Sequence, residues 1–239
     1  HKSKQTRTMY TIYRNFLRFP SQKALLKKAN DKKHRREIPN WLTPGSSNRY
    51  QCKLPTSNRF VRFLKNKLER MGLMKGLVMK ECHLLHSEKA CPRQKLHYDF
   101  NPDTISNLAV KPRSVLLALE DKTKLIVWDE KTAKPRELML ERGDCVLFDA
   151  DVVHAGAAYD KPNTRLFCYL DAEDAPRKPN KVWFPDLTRL KLASRPKRQC
   201  KKRDIFTIGF EPASTYKTWS YYEKSCVIDG FKIEELCSK

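Results

Sequence analysis

Gln94-Lys95-Leu96-His97-Tyr98-Asp99-Phe100, taken with Gly143-Asp144-Cys145-Val146-Leu147-Phe148-Asp149-Ala150-Asp151-Val152-Val153-His154-Ala155-Gly156, decides how this chain is read. His97 and Asp99 stand two residues apart in a predicted strand, so both side chains leave the same face and can hold one ion together. The second run has a strand-and-turn pattern that delivers His154 to the start of another strand. Two imidazoles and one carboxylate on one face of an octahedron leave three positions open, which suits Fe(II) and O2; zinc more often closes a tetrahedron. His97, Asp99 and His154 are therefore the expected metal ligands and the expected catalytic residues.

Further on, after the turn Tyr159-Asp160-Lys161-Pro162-Asn163, Arg165 heads the run Arg165-Leu166-Phe167-Cys168-Tyr169-Leu170. A planar, permanently charged guanidinium there can grip a carboxylate through two parallel hydrogen bonds. A dicarboxylate bridging metal and arginine is a natural ligand for this set. A lone His-X-Asp is a weak signal, and a lone histidine is more often structural. The chain has only 6 histidines, however, and two of them fall in the required contexts.

In these residues the chain resembles the Fe(II)/2-oxoglutarate-dependent oxygenase superfamily, whose pattern is His-X-Asp, a distant His, then Arg or Lys. The resemblance covers residues 80–172 and extends to Gln94, to Gly143-Asp144 and to Phe148. It implies an α+β chain with a double-stranded β-helix (jelly-roll) core and flanking helices. It also implies iron on His97, Asp99 and His154, and the distal carboxylate of 2-oxoglutarate on Arg165. The implied chemistry consumes 2-oxoglutarate and O2, releases succinate and CO2, and hydroxylates a substrate C–H; where that carbon bears nitrogen, the outcome is demethylation. Leu166 and Phe167 follow Arg165 where some subfamilies have Arg-X-Ser, which leaves the second hydroxyl contact to 2-oxoglutarate unassigned.

Outward from the motif, residues 78–172 alternate short apolar runs with Pro, Gly and Asp clusters, the texture of a β core. Val115–Leu119, Leu125–Trp128, Leu138–Leu140, Cys145–Phe148 and Leu166–Leu170 are the predicted strands. A helix is predicted from Ser57, with Phe60, Val61, Leu64, Leu68 and Met71 at helical spacing and Gly72 as its stop. Residues 39–55 read as a turn-rich connection, and the aromatics Tyr10, Tyr13, Phe16 and Phe19 leave open a docked helix or a loose arm near the start, their spacing being too irregular to decide. The expected organisation is a basic extension and supporting helix (1–77), the catalytic core (78–175) and a basic extension packing on the core (176–239).

Charge is segregated within a net +22. Residues 1–40 and 176–203 each carry a net +10, while residues 81–175 carry a net −4. Runs such as Lys27-Lys28, Lys32-Lys33, Arg35-Arg36 and Arg195–Arg203 can neutralise phosphates, so DNA or RNA, or a protein associated with them, is the expected partner. A solvated surface or an import signal is the plainer reading of any single run. A mean hydropathy of −0.70 and the lack of a long apolar stretch exclude a helical membrane span. The 8 scattered cysteines favour reduced thiols inside a cell, nuclear or cytoplasmic. The chain starts at His1 and not Met, which is consistent with an upstream segment having been removed.

Three weaker constellations stand beside the motif. Cys82-His83-Leu84-Leu85-His86 with Cys91 offers zinc donors, but buried thiols on a strand are the favoured reading. Cys200, Cys226 and Cys237 could contribute to a zinc site. Trp183, Trp219, Tyr221 and Tyr222 could stack bases, although such aromatics more often pack on a core. Competing functions are the same chemistry on a small metabolite or amino acid, a non-catalytic jelly-roll nucleic-acid-binding module, and a zinc or manganese cupin.

Overall fold

All five predicted strands between residues 113 and 172 form; four are longer than expected, and the one expected over Val115–Leu119 runs from Arg113 to Ala118, ending one residue early. In the computed structural model the described residues are 9–17, 22–31, 35–38, 42, 48–173, 181–188 and 190, all within a compact unit of residues 1–195. Along the chain the elements are β1 (Tyr10–Tyr13), α1 (Gln22–Asn30), β2 (Arg36–Glu37), β3 (Arg49–Leu54), α2 (Arg59–Arg70), β4 (Leu77–Ser87), α3 (Pro102–Ser106), β5 (Arg113–Ala118), β6 (Thr123–Asp129), β7 (Lys134–Leu140), β8 (Cys145–Asp149), β9 (His154–Gly156) and β10 (Asn163–Ala172). Among the described residues no helix is long and apolar enough to cross a membrane.

The strands make two antiparallel sheets. The larger runs β1-β8-β5-β10-β4-β3-β2 and the smaller β7-β6-β9. Leu116, Phe148 and Phe167 of the large sheet meet Leu125, Val127, Leu138 and Leu140 of the small one in a shared core, which makes the sandwich of a jelly roll. The other face of the large sheet packs on the helices through Val115, Leu117, Cys145, Leu147, Leu166 and Cys168. β5, β8 and β10 are thus covered on both faces, which explains why their sequences are continuous apolar runs.

α2 forms where helical spacing predicts it. Asn58 caps it by accepting from the amides of Phe60 (2.9 Å) and Val61 (3.4 Å), a contribution of about 1 kcal/mol. Phe60, Val61, Leu64 and Leu68 are buried against the large sheet, each worth about 1.5–3 kcal/mol over exposure. Gly72, at φ 69°, takes the left-handed turn that ends the helix.

Three local expectations are corrected. Tyr10–Tyr13 is a strand paired with β8 (Tyr10↔Phe148 to Tyr13↔Cys145), not part of a docked helix. Tyr10 and Tyr13, three apart and so equally suited to one face of a helix, fall on opposite faces of the strand and pack on separate core clusters. Within the stretch read as a turn-rich connection, β3 pairs with β4 over six residues, from Arg49↔Ser87 to Leu54↔Cys82. Residues before 77, expected as an extension and supporting helix, therefore supply both outer edges of the large sheet. Finally, His97–Asp99 is not a full strand; His97↔His154 and Tyr98↔Trp183 are isolated bridges. Cys200, Cys226, Cys237, Trp219, Tyr221, Tyr222 and the run Arg195–Arg203 lie outside the described residues.

Candidate metal centre

His97 and His154 are brought together by their own backbones. The His97 amide donates to the His154 carbonyl (2.9 Å) and the His154 amide to the His97 carbonyl (3.0 Å), with the ring centroids 4.7 Å apart. Asp99 closes the group: its Oδ1 lies 3.6 Å from His97 Nε2 and its Oδ2 3.3 Å from His154 Nε2. The ligand atoms of all three lie within 4.8 Å of one another, and all three residues are buried.

The donor chemistry fits a divalent metal. His97 Nδ1 bonds to the Lys95 carbonyl (2.8 Å) and His154 Nδ1 to the Val152 carbonyl (3.0 Å). A carbonyl only accepts, so each Nδ1 carries the proton and each Nε2 presents a lone pair to the space beside Asp99. A metal bound about 2.1 Å from three donors at right angles sets those donors about 3 Å apart; the two Asp99–imidazole separations, 3.3 and 3.6 Å, stand a little wider than that.

Electrostatics divide the two imidazoles. Burial, followed by the charge of His154, pulls His97 down to about 4, against the pull of Asp99. Burial also works against charge on His154, but the charge and hydrogen bond of Asp99 outweigh it and shift His154 upward. Asp99 thus favours the charged form of His154 more than that of His97.

Arg165 enters the same cavity from β10. This space of about 800 Å3 is lined by His97, Asp99, His154 and Arg165 together. Arg165 is buried, donates through Nη1 to Ser87 Oγ (3.1 Å) and lies over the Tyr159 ring (5.2 Å). Among the described residues no carboxylate pairs with it. Arg49, fully buried, donates to the same Ser87 Oγ (3.2 Å) and to the carbonyls of Pro92 (2.7 Å) and Ala157. Burial and the neighbouring Arg165 pull Arg49 down to about 10. Two guanidiniums converging on one hydroxyl concentrate positive charge at this end of the cavity.

Strand register lays out the floor. Arg165 pairs with Leu85 and Leu85 with Gln51; Phe167 pairs with His83 and His83 with Lys53; Tyr169 pairs with Glu81. These rows run from the arginine end, past Phe167 stacked on His154 (6.5 Å, 21°), to a polar end. There Glu81 binds Lys53 (2.7 Å), His83 Nε2 lies 3.6 Å from Glu81 Oε2, and His83 meets Tyr169 edge-on.

All four sequence-predicted residues are thus in one cavity. Arg49, Ser87, Lys53, Glu81 and Tyr169 were missed: Arg49 and Lys53 sit in the half-polar β3, and Glu81, Ser87 and Tyr169 are single residues of β4 and β10 that belong to no motif. The group Cys82, His83, His86 and Cys91 does not assemble. Alternation sends His83 to the cavity and Cys82 to the opposite core, His86 bonds Thr164, and Cys91 sits in a separate cluster. Among the described residues His97, Asp99 and His154 are the one group able to hold a metal.

No protein-family model and no curated protein matches the sequence. Solved structures do match the fold. A prolyl-4-hydroxylase from Pseudomonas putida superposes with TM-score 0.55 at 14% identity, covering 69% of this chain and 93% of its own. HygX from Streptomyces hygroscopicus, solved with nickel and 2-oxoglutarate, gives 0.54 at 11% over 70% of this chain and 84% of its own. A Trichoplax adhaerens prolyl hydroxylase in complex with a hypoxia inducible factor peptide gives 0.53 at 11% over the same shares, 70% and 84%. The chain therefore has the jelly-roll fold of the Fe(II)/2-oxoglutarate oxygenases, the superfamily its sequence resembles.

Proposed function

We propose that this chain is an Fe(II)- and 2-oxoglutarate-dependent dioxygenase that hydroxylates, or by hydroxylation demethylates, a nucleic acid or a nucleic-acid-associated protein. One observation carries the reaction class: three buried ligand atoms lie within 4.8 Å of one another in a cavity whose far end holds Arg165 with no carboxylate partner among the described residues. Bound iron would supply the coupling of 2-oxoglutarate decarboxylation to C–H hydroxylation, with one O2, one 2-oxoglutarate and one substrate giving succinate, CO2 and the alcohol. His97, Asp99 and His154 would hold the ion at the cavity wall. Arg165, steadied by Ser87 and Tyr159, takes the distal carboxylate of 2-oxoglutarate. Arg49 sits behind it and raises the positive potential there without lining the cavity. Phe148 and Phe167 pack around His154 and keep water from its ring.

The substrate side rests on charge: two basic flanks of net +10 each border a mildly acidic core. The peptide held by the similar Trichoplax hydroxylase supports a protein as the alternative macromolecule. The test is anaerobic addition of Fe(II) and then 2-oxoglutarate. A weak visible charge-transfer band, followed by succinate release on admitting O2, is expected; neither signal would defeat the reading. Binding to DNA or RNA that weakens steeply with salt separates a polyanionic substrate from a small metabolite.

A further inference from the structure

Lys28, Arg36 and Lys181 line the cavity that holds the metal ligands, and each comes from a different segment of the chain. Among the described residues no carboxylate pairs with any of the three. Of the other cations lining it, Arg35 is committed to Glu88 (2.7 Å) and Lys53 to Glu81 (2.7 Å), while Arg165 stands at the 2-oxoglutarate end. Lys181 is held near the metal ligands because Trp183 exchanges two backbone hydrogen bonds with Tyr98, 2.8 and 3.0 Å, between His97 and Asp99. Inside, the floor is of another kind, with the rings of Phe167, Tyr169 and His83 beside the carboxylate of Glu81.

We infer that the cavity takes one unit of a nucleic-acid strand, with phosphates on Lys28, Arg36 and Lys181 and the base over the Phe167–Tyr169–His83 floor. This rests on the oxygenase reading of the same site. A nucleotide joins a diffuse negative charge to a planar, hydrogen-bonding group, and the cavity joins cations with no carboxylate partner among the described residues to an aromatic floor beside the Glu81 carboxylate. An acidic peptide matches the cations but brings no planar group beside each charge. Cations that meet phosphates release counterions, and aromatic rings accept bases with little regard to sequence. The position also suits reaction. Phe167 stacks on His154, so a base lying over Phe167 and Tyr169 has an edge beside the metal ligands, while Arg165 lies one register row away, about 7 Å along the strand.

The test uses the full chain loaded with Mn(II) and 2-oxoglutarate, read by fluorescence anisotropy across a salt series. The probes are a short mixed-sequence single-stranded oligonucleotide, its abasic counterpart, and oligoglutamate of matched charge. The intact strand should bind most tightly. The triple variant Lys28→Ala, Arg36→Ala, Lys181→Ala should lower the slope of log affinity against log salt by about 2, at about 0.7 per lost phosphate contact. Tyr169→Ala should weaken the intact strand about tenfold and leave the abasic one unaffected. Oligoglutamate binding as tightly as the oligonucleotide, or an unchanged slope in the triple variant, would overturn the proposal. The Fe(II) and 2-oxoglutarate absorption band, recorded on the same preparation, reports separately on the oxygenase reading: a band without strand binding fails this inference alone, and strand binding without a band fails the oxygenase reading.

Discussion

His97 and His154 hold each other by two backbone hydrogen bonds, 2.9 and 3.0 Å, before any metal enters. Their separation is therefore fixed by a β-bridge between the loop after β4 and the start of β9. Each ring is also turned by a carbonyl two residues upstream, Lys95 for His97 and Val152 for His154. Such a site is organised in advance and loses little conformational entropy on binding an ion.

Asp99→Asn should test that organisation without disturbing it. The amide keeps the shape of the carboxylate but removes its charge, so divalent-metal affinity should fall at least roughly a hundredfold and 2-oxoglutarate turnover with it. Mn(II) titration followed by electron paramagnetic resonance gives the affinity, and circular dichroism should show an unchanged fold. Full metal affinity in this variant would remove Asp99 from the ligand set.

Metal affinity should also climb with pH. His154 is shifted above its ordinary 6.5, burial opposing and Asp99 prevailing, so the ion must displace a proton from it. Below that raised value the apparent affinity should rise about tenfold per pH unit, and above it the curve should flatten. A Mn(II) affinity that is flat from acid to neutral pH would show that His154 is already neutral in the metal-free protein.

Stability in acid follows from two other histidines. Burial, followed by Arg35, pulls His86 down to about 4, and burial with His154 does the same for His97. Both are neutral when folded, yet would take up protons near 6.5 when unfolded. The unfolded chain then binds more protons between those values, so stability is lost as pH falls from about 6.5 to about 4. His154, raised instead, has the opposite sign and loses its contribution as pH rises through its folded value. Urea unfolding of metal-free protein should show the acid loss, and His86→Gln should reduce it.

The parts of the fold written in apolar runs were legible in the sequence. β5, β6, β7, β8 and β10 are buried on one or both faces, and burial demands the hydrophobic pattern that was read. The three ligands and Arg165 were legible because few residue types serve that chemistry. β1, β2 and β3 lie on the outer flanks of the large sheet, where one face is wet and basic residues are tolerated, so their strands left no periodic trace. Arg49 was illegible for a related reason: it stands in a polar stretch, and its burial follows from pairing opposite Ser87. Hydrogen bonds across the fold, not local sequence, put it behind Arg165.

That pairing makes Ser87 a handle on the anion end. Arg165→Met removes a charge-assisted grip worth about 1.5–3 kcal/mol, so KM for 2-oxoglutarate should rise about 10–100-fold. Ser87→Ala removes only the hydroxyl that both guanidiniums share, 3.1 and 3.2 Å away, and should raise that KM several-fold by loosening Arg165. Steady-state succinate release with varied 2-oxoglutarate measures both. An unchanged KM in Arg165→Met would place the distal carboxylate elsewhere.

Gly156→Ala probes the point where the two halves of the site meet. The Gly156 amide donates to Gln94 Oε1 (2.9 Å), and a Cβ there would stand 2.5 Å from Gln94 Oε1 and 2.7 Å from Arg49 Nη1. Arg49 cannot swing away freely: it is fully buried and tied to Ser87, Pro92 and Ala157. The methyl should therefore push on the guanidinium and on Gln94, which stands three residues before His97 in the chain. Overpacking of this kind typically costs about 1–3 kcal/mol, read as a lower urea midpoint at an unchanged m-value. Because Arg49 shares Ser87 with Arg165, the same variant should also weaken 2-oxoglutarate binding, whereas an overpacked site remote from the cavity would lower stability alone. A destabilised variant with normal KM for 2-oxoglutarate would separate Arg49 from the anion end and leave it a purely structural cation.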